Sequence, residues 1–485
     1  MTTTITHITI HNSDGTQQRF VPDAITPPPP KPPAKRKRVG VNIAEWQSWA
    51  TDAAFFNEIH RARPCFGSSM NGFNDVPLAL RPDGLPESIP DGVTASVFLD
   101  FVPAMPNATY IVTWSGPHDA VAIGHQQGRD NVLKWSRTQH GVHEHCNITF
   151  RKPISDLVMV RVGVTGDYVF ANDYVASLTQ FCCLRFLGPH LTNYVPPNKV
   201  GLFGDRREYS WTNAPLTVMV DLCRQTKSDM WLPSHHFATD AQVRSVAKAL
   251  QDFEHTVYIQ HSNETWNTGF PQHTYSHTEG SRTGGNYWTY EIQRSAELGR
   301  IFASEGVRHK CVVGWQSVQP KAFEWYVGQL PKGKLPKEIH AVAIAPYFGY
   351  SGDYPAEARK SVKALLDYCE KTLEFVAAGL KQWAALCNLL GVELTAYEGG
   401  QHLVTYDGDT NLQQLIIEAN RDKRMGELHQ QYLDLWEEIN PGGLMMLHTH
   451  CSASGPHGAW GLKEHYADND APKCKAVLDW ITKGE

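Results

Sequence analysis

Two glutamates define the chemistry available to this chain. Glu264 closes the run V-Y-I-Q-H-S-N-E-T-W-N (residues 257–267), and Glu398 lies in V-E-L-T-A-Y-E-G-G-Q-H (392–402). Each follows a short apolar stretch and precedes polar or glycine residues, the pattern of a carboxylate at the tip of a buried strand. Such a carboxylate is held rigidly and faces whatever cleft lies above the sheet. Two of them, supplied by different strands, are the minimum machinery for cutting a glycosidic bond. Either one alone reads better as a helix cap or an arginine partner. The pair points to catalysis.

The elements that must position them follow from periodicity. Apolar runs begin at Val39, Phe181, Asp229, Thr256, Cys311, Ala341, Glu393 and Gly443. Helical patterns fit between them at 240–253, 287–305, 356–390 and 411–438. Eight strands alternating with helices predict a (β/α)₈ TIM barrel, whose active site lies at the C-terminal strand ends. Residues just past those ends include Arg185, His235, His236, Asn263, Glu264, Gln316, Tyr347, Glu398, His448 and Trp460.

Residues 75–168 differ in character. Turn signals such as P-D-G and G-P-H-D separate short alternating runs, predicting a small β-sandwich inserted into the barrel. The barrel itself then comprises 39–74 and 169–485. Residues 1–26 read as an N-terminal appendage, and 27–38, P-P-P-P-K-P-P-A-K-R-K-R, as a stiff, solvated linker. The appendage is a candidate for attachment to a larger assembly.

The chain resembles the glycoside hydrolases of the large retaining clan built on a (β/α)₈ barrel, over roughly residues 38–480. That clan carries its acid/base glutamate after an asparagine at the end of strand four, and its nucleophile at the end of strand seven. Asn263-Glu264 and Glu398 fall there. More narrowly, the chain looks like a sparsely characterised bacterial and phage branch. The carrying motifs are Leu184-Arg185-Phe186, S-N-E-T-W-N (262–267), A-P-Y-F (345–348) and A-Y-E-G-G-Q-H (396–402). The resemblance implies a retaining hydrolysis with Glu398 as nucleophile and Glu264 as acid/base, their carboxyl groups about 5–5.5 Å apart. It further implies that Arg185 orients Glu398, that Tyr347 donates a hydrogen bond to it, and that Asn263 binds the sugar 2-hydroxyl. Trp460 is expected as a sugar platform, with His235 and His236 lining the cleft.

Composition narrows the alternatives. With 44 basic against 50 acidic residues, the net charge of −6 argues against a general nucleic-acid binder. No secretory signal and no membrane-length apolar run is apparent, so synthesis in the cytosol is expected, with virion association or release by lysis bringing the enzyme to a polysaccharide or oligosaccharide. The ten cysteines lack regular spacing and are expected to be mostly reduced and buried. No cofactor is expected. Gly284-Gly285 and Gly399-Gly400 belong to no phosphate loop. His140, His143 and His145, and separately His448 and His450, invite a metal reading, and the H-x-H spacing of 143/145 and 448/450 places both rings of a pair on one face of a strand. No third and fourth ligand is identifiable from sequence, so no catalytic metal is expected. The competing class is a non-catalytic glycan-binding or virion decoration protein on a barrel scaffold.

Overall fold

The structure, a computed structural model, describes residues 8–11, 17–20, 37–138, 141–167, 169–193, 203–349, 354–406, 408–456 and 458–483. Most of the expected linker, and His140, lie outside them. Within the expected appendage, Ile8–His11 pairs antiparallel with Gln17–Phe20.

Eight parallel strands close into a barrel. In order they are Val39–Asn42, Cys183–Arg185, Asp229–Ser234, Val257–His261, His309–Gly314, Ala341–Ile344, Glu393–Ala396 and Met445–Leu447, with the last pairing back onto the first. The runs are almost continuously apolar because both faces are buried. Alternate residues divide between two cores. Cys183, Trp231, Tyr258, Val312, Ala343 and Met446 fill the interior. Leu184, Met230, Leu232, Ile259 and Val313 pack outward against the helices. Gly40 is required in the interior, since a Cβ there would lie 2.6 Å from the carbonyl oxygen of Cys183 on the neighbouring strand.

The helices begin and end where side-chain chemistry dictates. Thr239 and Asn286 form capping boxes before Asp240–Ala249 and Tyr287–Ser304. Val362–Leu390 starts at the Ser361 cap and stops at Gly391, which adopts the left-handed conformation. The helix expected over 411–438 is two helices, Thr410–Arg421 and Lys423–Ile439. Asp422 breaks them, being extended while its carboxylate caps the second helix at Arg424 N.

After the first barrel strand the chain leaves to build the insert. A five-stranded sheet and a three-stranded sheet enclose one core containing Val97, Leu99, Ile148, Tyr110, Trp135 and Met159. The insert's sheet starts at Phe66–Ser68, which pairs with Thr94–Phe101, upstream of the expected boundary at 75. A three-residue F-G-S strand offers no alternation to detect. His60, between the first barrel strand and the insert's sheet, stacks on Trp211 at 3.6 Å. Because the insertion follows a strand's C-terminal end, the insert rises beside the barrel mouth.

All ten cysteine thiols are free, and eight are buried. Among the described residues no helix is long and apolar enough to cross a membrane.

Candidate active site

Arg185, fully buried at the end of the second barrel strand, organises the mouth. One terminal nitrogen donates to Glu398 Oε1 at 2.7 Å and to Asn42 Oδ1 at 2.8 Å. The other donates to Asn263 Oδ1 at 2.8 Å and to Gln260 Oε1 at 3.4 Å. The planar guanidinium thus reaches side chains from strands one, four and seven at once, a geometry a lysine cannot reproduce. Gln260 is held in turn by Trp231 Nε1 at 2.9 Å.

The two carboxylates lie in contrasting surroundings. Glu398 is buried, with Oε1 on Arg185 and Oε2 accepting from the Tyr347 hydroxyl at 2.9 Å. Burial pushes its pKa up, but opposing charge and hydrogen bonding from His448, Arg185 and Tyr347 outweigh this and hold it below the ordinary carboxylate value. Burial lowers the pKa of His448 in turn, against the upward pull of Glu398. Arg185 and Tyr347 are the partners hydrogen-bonded to Glu398 directly.

Glu264 follows the fourth strand in a left-handed conformation (φ 43°) that lifts its side chain off the strand direction. Its Oε2 accepts from Asn267 Nδ2 at 2.9 Å and its Oε1 from the Tyr397 hydroxyl at 3.2 Å. It keeps part of its surface open to the mouth. Burial first, then the negative charge of Glu398, push its pKa up to about 7, against the opposing pulls of Asn267, Tyr397 and Arg185. The two carboxylates therefore differ in ionisation at neutral pH: one is a proton reservoir, the other a fixed anion.

The remaining expected residues fall in two groups. Asn263 binds Arg185, and its Nδ2 donates to Asn193 Oδ1 at 3.2 Å. Trp460 lines the mouth, edge-on to His402, His448 and Tyr347 at centroid distances of 4.8, 5.7 and 6.0 Å. The backbone beside it is pinned by Gln401 and Lys473, which donate to Ala459 O at 2.9 and 2.7 Å. His235 packs against His190 at 4.1 Å and lines a small apolar cavity with Leu232 and Ile259, on the helix side of the barrel wall. His236 packs on Phe237 and Tyr275 at 3.9 and 5.2 Å. Neither histidine makes a hydrogen bond to Glu264 or Glu398 among the described contacts.

Sequence reasoning missed Asn42, Asn267 and Tyr397. The last two stand inside the quoted motifs, three residues after Glu264 and one before Glu398. Asn42 carried one signal, a polar residue closing the buried strand V-G-V-N. A cleft of 380 Å³ adjoins the site, lined by Asn42, Glu45, Trp49, Asn193, His448 and Trp460, with Val102 contributed by the insert. Its size falls within the range of small-molecule sites.

No protein-family model matches this chain. No curated protein matches it either. Solved structures similar to it include a GH51 arabinofuranosidase from Xanthomonas axonopodis pv. citri (10% identity, TM-score 0.41, covering 60% of this chain and 62% of that one). An α-L-arabinofuranosidase from Thermotoga maritima aligns at 14% identity and TM-score 0.42, covering 65% of this chain and 64% of that one. A thermostable mutant of the Cellvibrio japonicus xylanase Xyn10A aligns at 14% and 0.37, covering 64% of this chain and 92% of that one. The chain thus spans less than two thirds of the length of the two arabinofuranosidases. The barrel assignment rests on the closed strand order itself: this chain is an eight-stranded (β/α)₈ barrel carrying an inserted pair of β-sheets.

Proposed function

We propose that the protein is a retaining glycoside hydrolase acting on a polysaccharide or oligosaccharide. The observation that carries this reading is the placement of two carboxylates after barrel strands four and seven in contrasting surroundings, Glu398 on Arg185 and Tyr347 and Glu264 on Asn267 and Tyr397. Glu264 is poised near 7, while Glu398 is held below the ordinary carboxylate value.

In the first step a Glu398 oxygen bonds to the anomeric carbon as the glycosidic C–O bond breaks, and Glu264 gives its proton to the leaving oxygen. In the second, Glu264, now ionised, takes a proton from water as that water's oxygen attacks the same carbon. The ester to Glu398 breaks, and both carboxyl groups return to their starting states. Arg185 and Tyr347 hold the nucleophile in line. Asn263 is placed to exchange its 3.2 Å contact with Asn193 for a sugar 2-hydroxyl, and Trp460 supplies an apolar wall for a pyranose or furanose face. Delivery to an extracellular glycan on a phage particle, anchored through residues 1–26, belongs to the same proposal.

The test is a glycan panel assayed for cleavage by the wild type and by Glu264→Gln and Glu398→Gln. Cleavage by the wild type that is lost in both variants supports hydrolysis. Binding that survives both substitutions, with no cleavage by the wild type, replaces it with a non-catalytic glycan-binding role. Delivery is tested separately by asking whether deletion of residues 1–26 abolishes association with particles while leaving cleavage intact.

A further inference from the structure

The insert brings together three side chains that the hydrolytic site does not use. Strands Glu144–Phe150 and Thr94–Phe101 pair antiparallel with His145 directly opposite Asp100. His143, two residues before His145, shares that face. His145 Nδ1 lies 2.9 Å from Asp100 Oδ1 and His143 Nε2 lies 3.6 Å from the same oxygen. The two rings are 4.7 Å apart between centroids, and all three donor atoms fall within 4.8 Å of one another.

We infer that Asp100, His143 and His145 form a binding site on the insert for a divalent transition-metal ion. Zinc–nitrogen and zinc–oxygen bonds of about 2.0–2.1 Å in a tetrahedron put ligand atoms roughly 3.3 Å apart. The observed 2.9 and 3.6 Å bracket that separation, so small side-chain rotations complete the coordination. Two imidazoles and a carboxylate select zinc, nickel, cobalt or copper over calcium and magnesium, which favour all-oxygen cages.

Asp100 is prepared for the role. Its side chain is 4% exposed, and its second oxygen is occupied, by Arg63 at 2.9 Å and by the Ser48 hydroxyl. Those contacts aim Oδ1 at the two rings and neutralise the carboxylate only in part, the arrangement of an oriented metal ligand. The rings are about half exposed, so an ion can enter and the remaining coordination positions face solvent.

The consequence reaches the cleft through Asp100. Its backbone N–H donates to Ser48 O at 3.1 Å and its carbonyl accepts from Arg61 at 3.1 Å. Ser48 precedes Trp49, and Trp49 and Val102 both line the cleft. An ion on Asp100 would therefore sit one residue contact away from Ser48 and the cleft-lining Trp49. This inference stands independently of the hydrolase reading.

The test is calorimetric titration of the full chain with zinc chloride, paired with thermal melts. The wild type is expected to bind one equivalent saturably and to melt higher with zinc present. His143→Ala and His145→Ala, both at half-exposed positions that leave folding intact, are each expected to weaken that binding at least tenfold. His118→Ala, an exposed histidine elsewhere on the insert, is expected to leave it unchanged. Absence of saturable binding, or binding that persists in the His143→Ala/His145→Ala double variant, would overturn the assignment and leave only an Asp100–His145 hydrogen bond.

Discussion

Replacing Tyr397 with Phe tests the acid half of the site. The Tyr397 hydroxyl donates to Glu264 Oε1 at 3.2 Å and stabilises the ionised form. Phe keeps the ring that packs in the barrel interior, so the substitution removes the hydroxyl and its hydrogen bonding to Glu264 and Trp266. Bonds to charged groups contribute about 1.5–3 kcal/mol, and 3.2 Å is long for an O–H donor, so about 1.5 kcal/mol is appropriate. At 1.36 kcal/mol per pK unit that is roughly one unit upward. As the proposed acid, Glu264 must be protonated to act, so activity is expected to decline as pH rises through its pKa of about 7. In Tyr397→Phe this basic limb should move to roughly pH 8. At pH 8 the protonated fraction then rises from roughly one tenth to about one half, so rate relative to the optimum increases about fivefold. The assay is the pH dependence of kcat/KM at constant ionic strength, on whichever glycan the wild type cleaves. A ¹³C-carboxyl titration of Glu264, assigned by its absence in Glu264→Gln, reads the same shift without substrate. A limb that stays in place, or moves to lower pH, refutes the assignment of Glu264 as the acid held in check by Tyr397.

Three further outcomes are expected. In Tyr347→Phe, Glu398 loses a 2.9 Å hydrogen bond to its ionised form, so the acidic limb of the same profile should move up by roughly one unit; an unmoved acidic limb contradicts the nucleophile assignment. Arg185→Met leaves Glu398 buried without its cation, and urea unfolding should show a loss of about 3–5 kcal/mol, whereas a loss below about 1 kcal/mol would place Arg185 outside the structural role. Glu264→Gln should stabilise the protein more at pH 8 than at pH 5 in thermal melts. Glu264's folded pKa is raised from 4.5 to about 7, so its contribution to stability is fully present below 4.5 and lost as pH rises through 7, a loss the neutral amide avoids.

The barrel was legible because its strands are buried on both faces, which leaves uninterrupted apolar runs such as 257–259 and 341–345. Glu264 and Glu398 were legible for the same reason, as charges ending such runs, and Arg185 and Tyr347 because each follows one. What escaped notice depends on register or on conformation. Tyr397 points into the barrel and reaches Glu264 across the mouth, a contact between residues 133 apart in sequence. The split at Asp422 is invisible to periodicity because both helices bury the same kind of face and the capping carboxylate occupies a single position. Asp100 could not be paired with His143 and His145 beforehand, since only the antiparallel register of two insert strands brings them together. His235 and His236 follow the third strand, but the chain turns there so that His235 packs into the helix layer, a choice that strand-end position alone does not specify.

The most direct measurement of the central claim is intact-mass and peptide mapping after incubation with a panel of activated 2-deoxy-2-fluoro glycosides, which slow the breakdown of a glycosyl-enzyme. Double displacement predicts a single sugar adduct on the peptide containing Glu398, absent from Glu398→Gln. Cleavage of natural glycan with inversion of the anomeric centre and no adduct, or an adduct carried on Glu264, contradicts it.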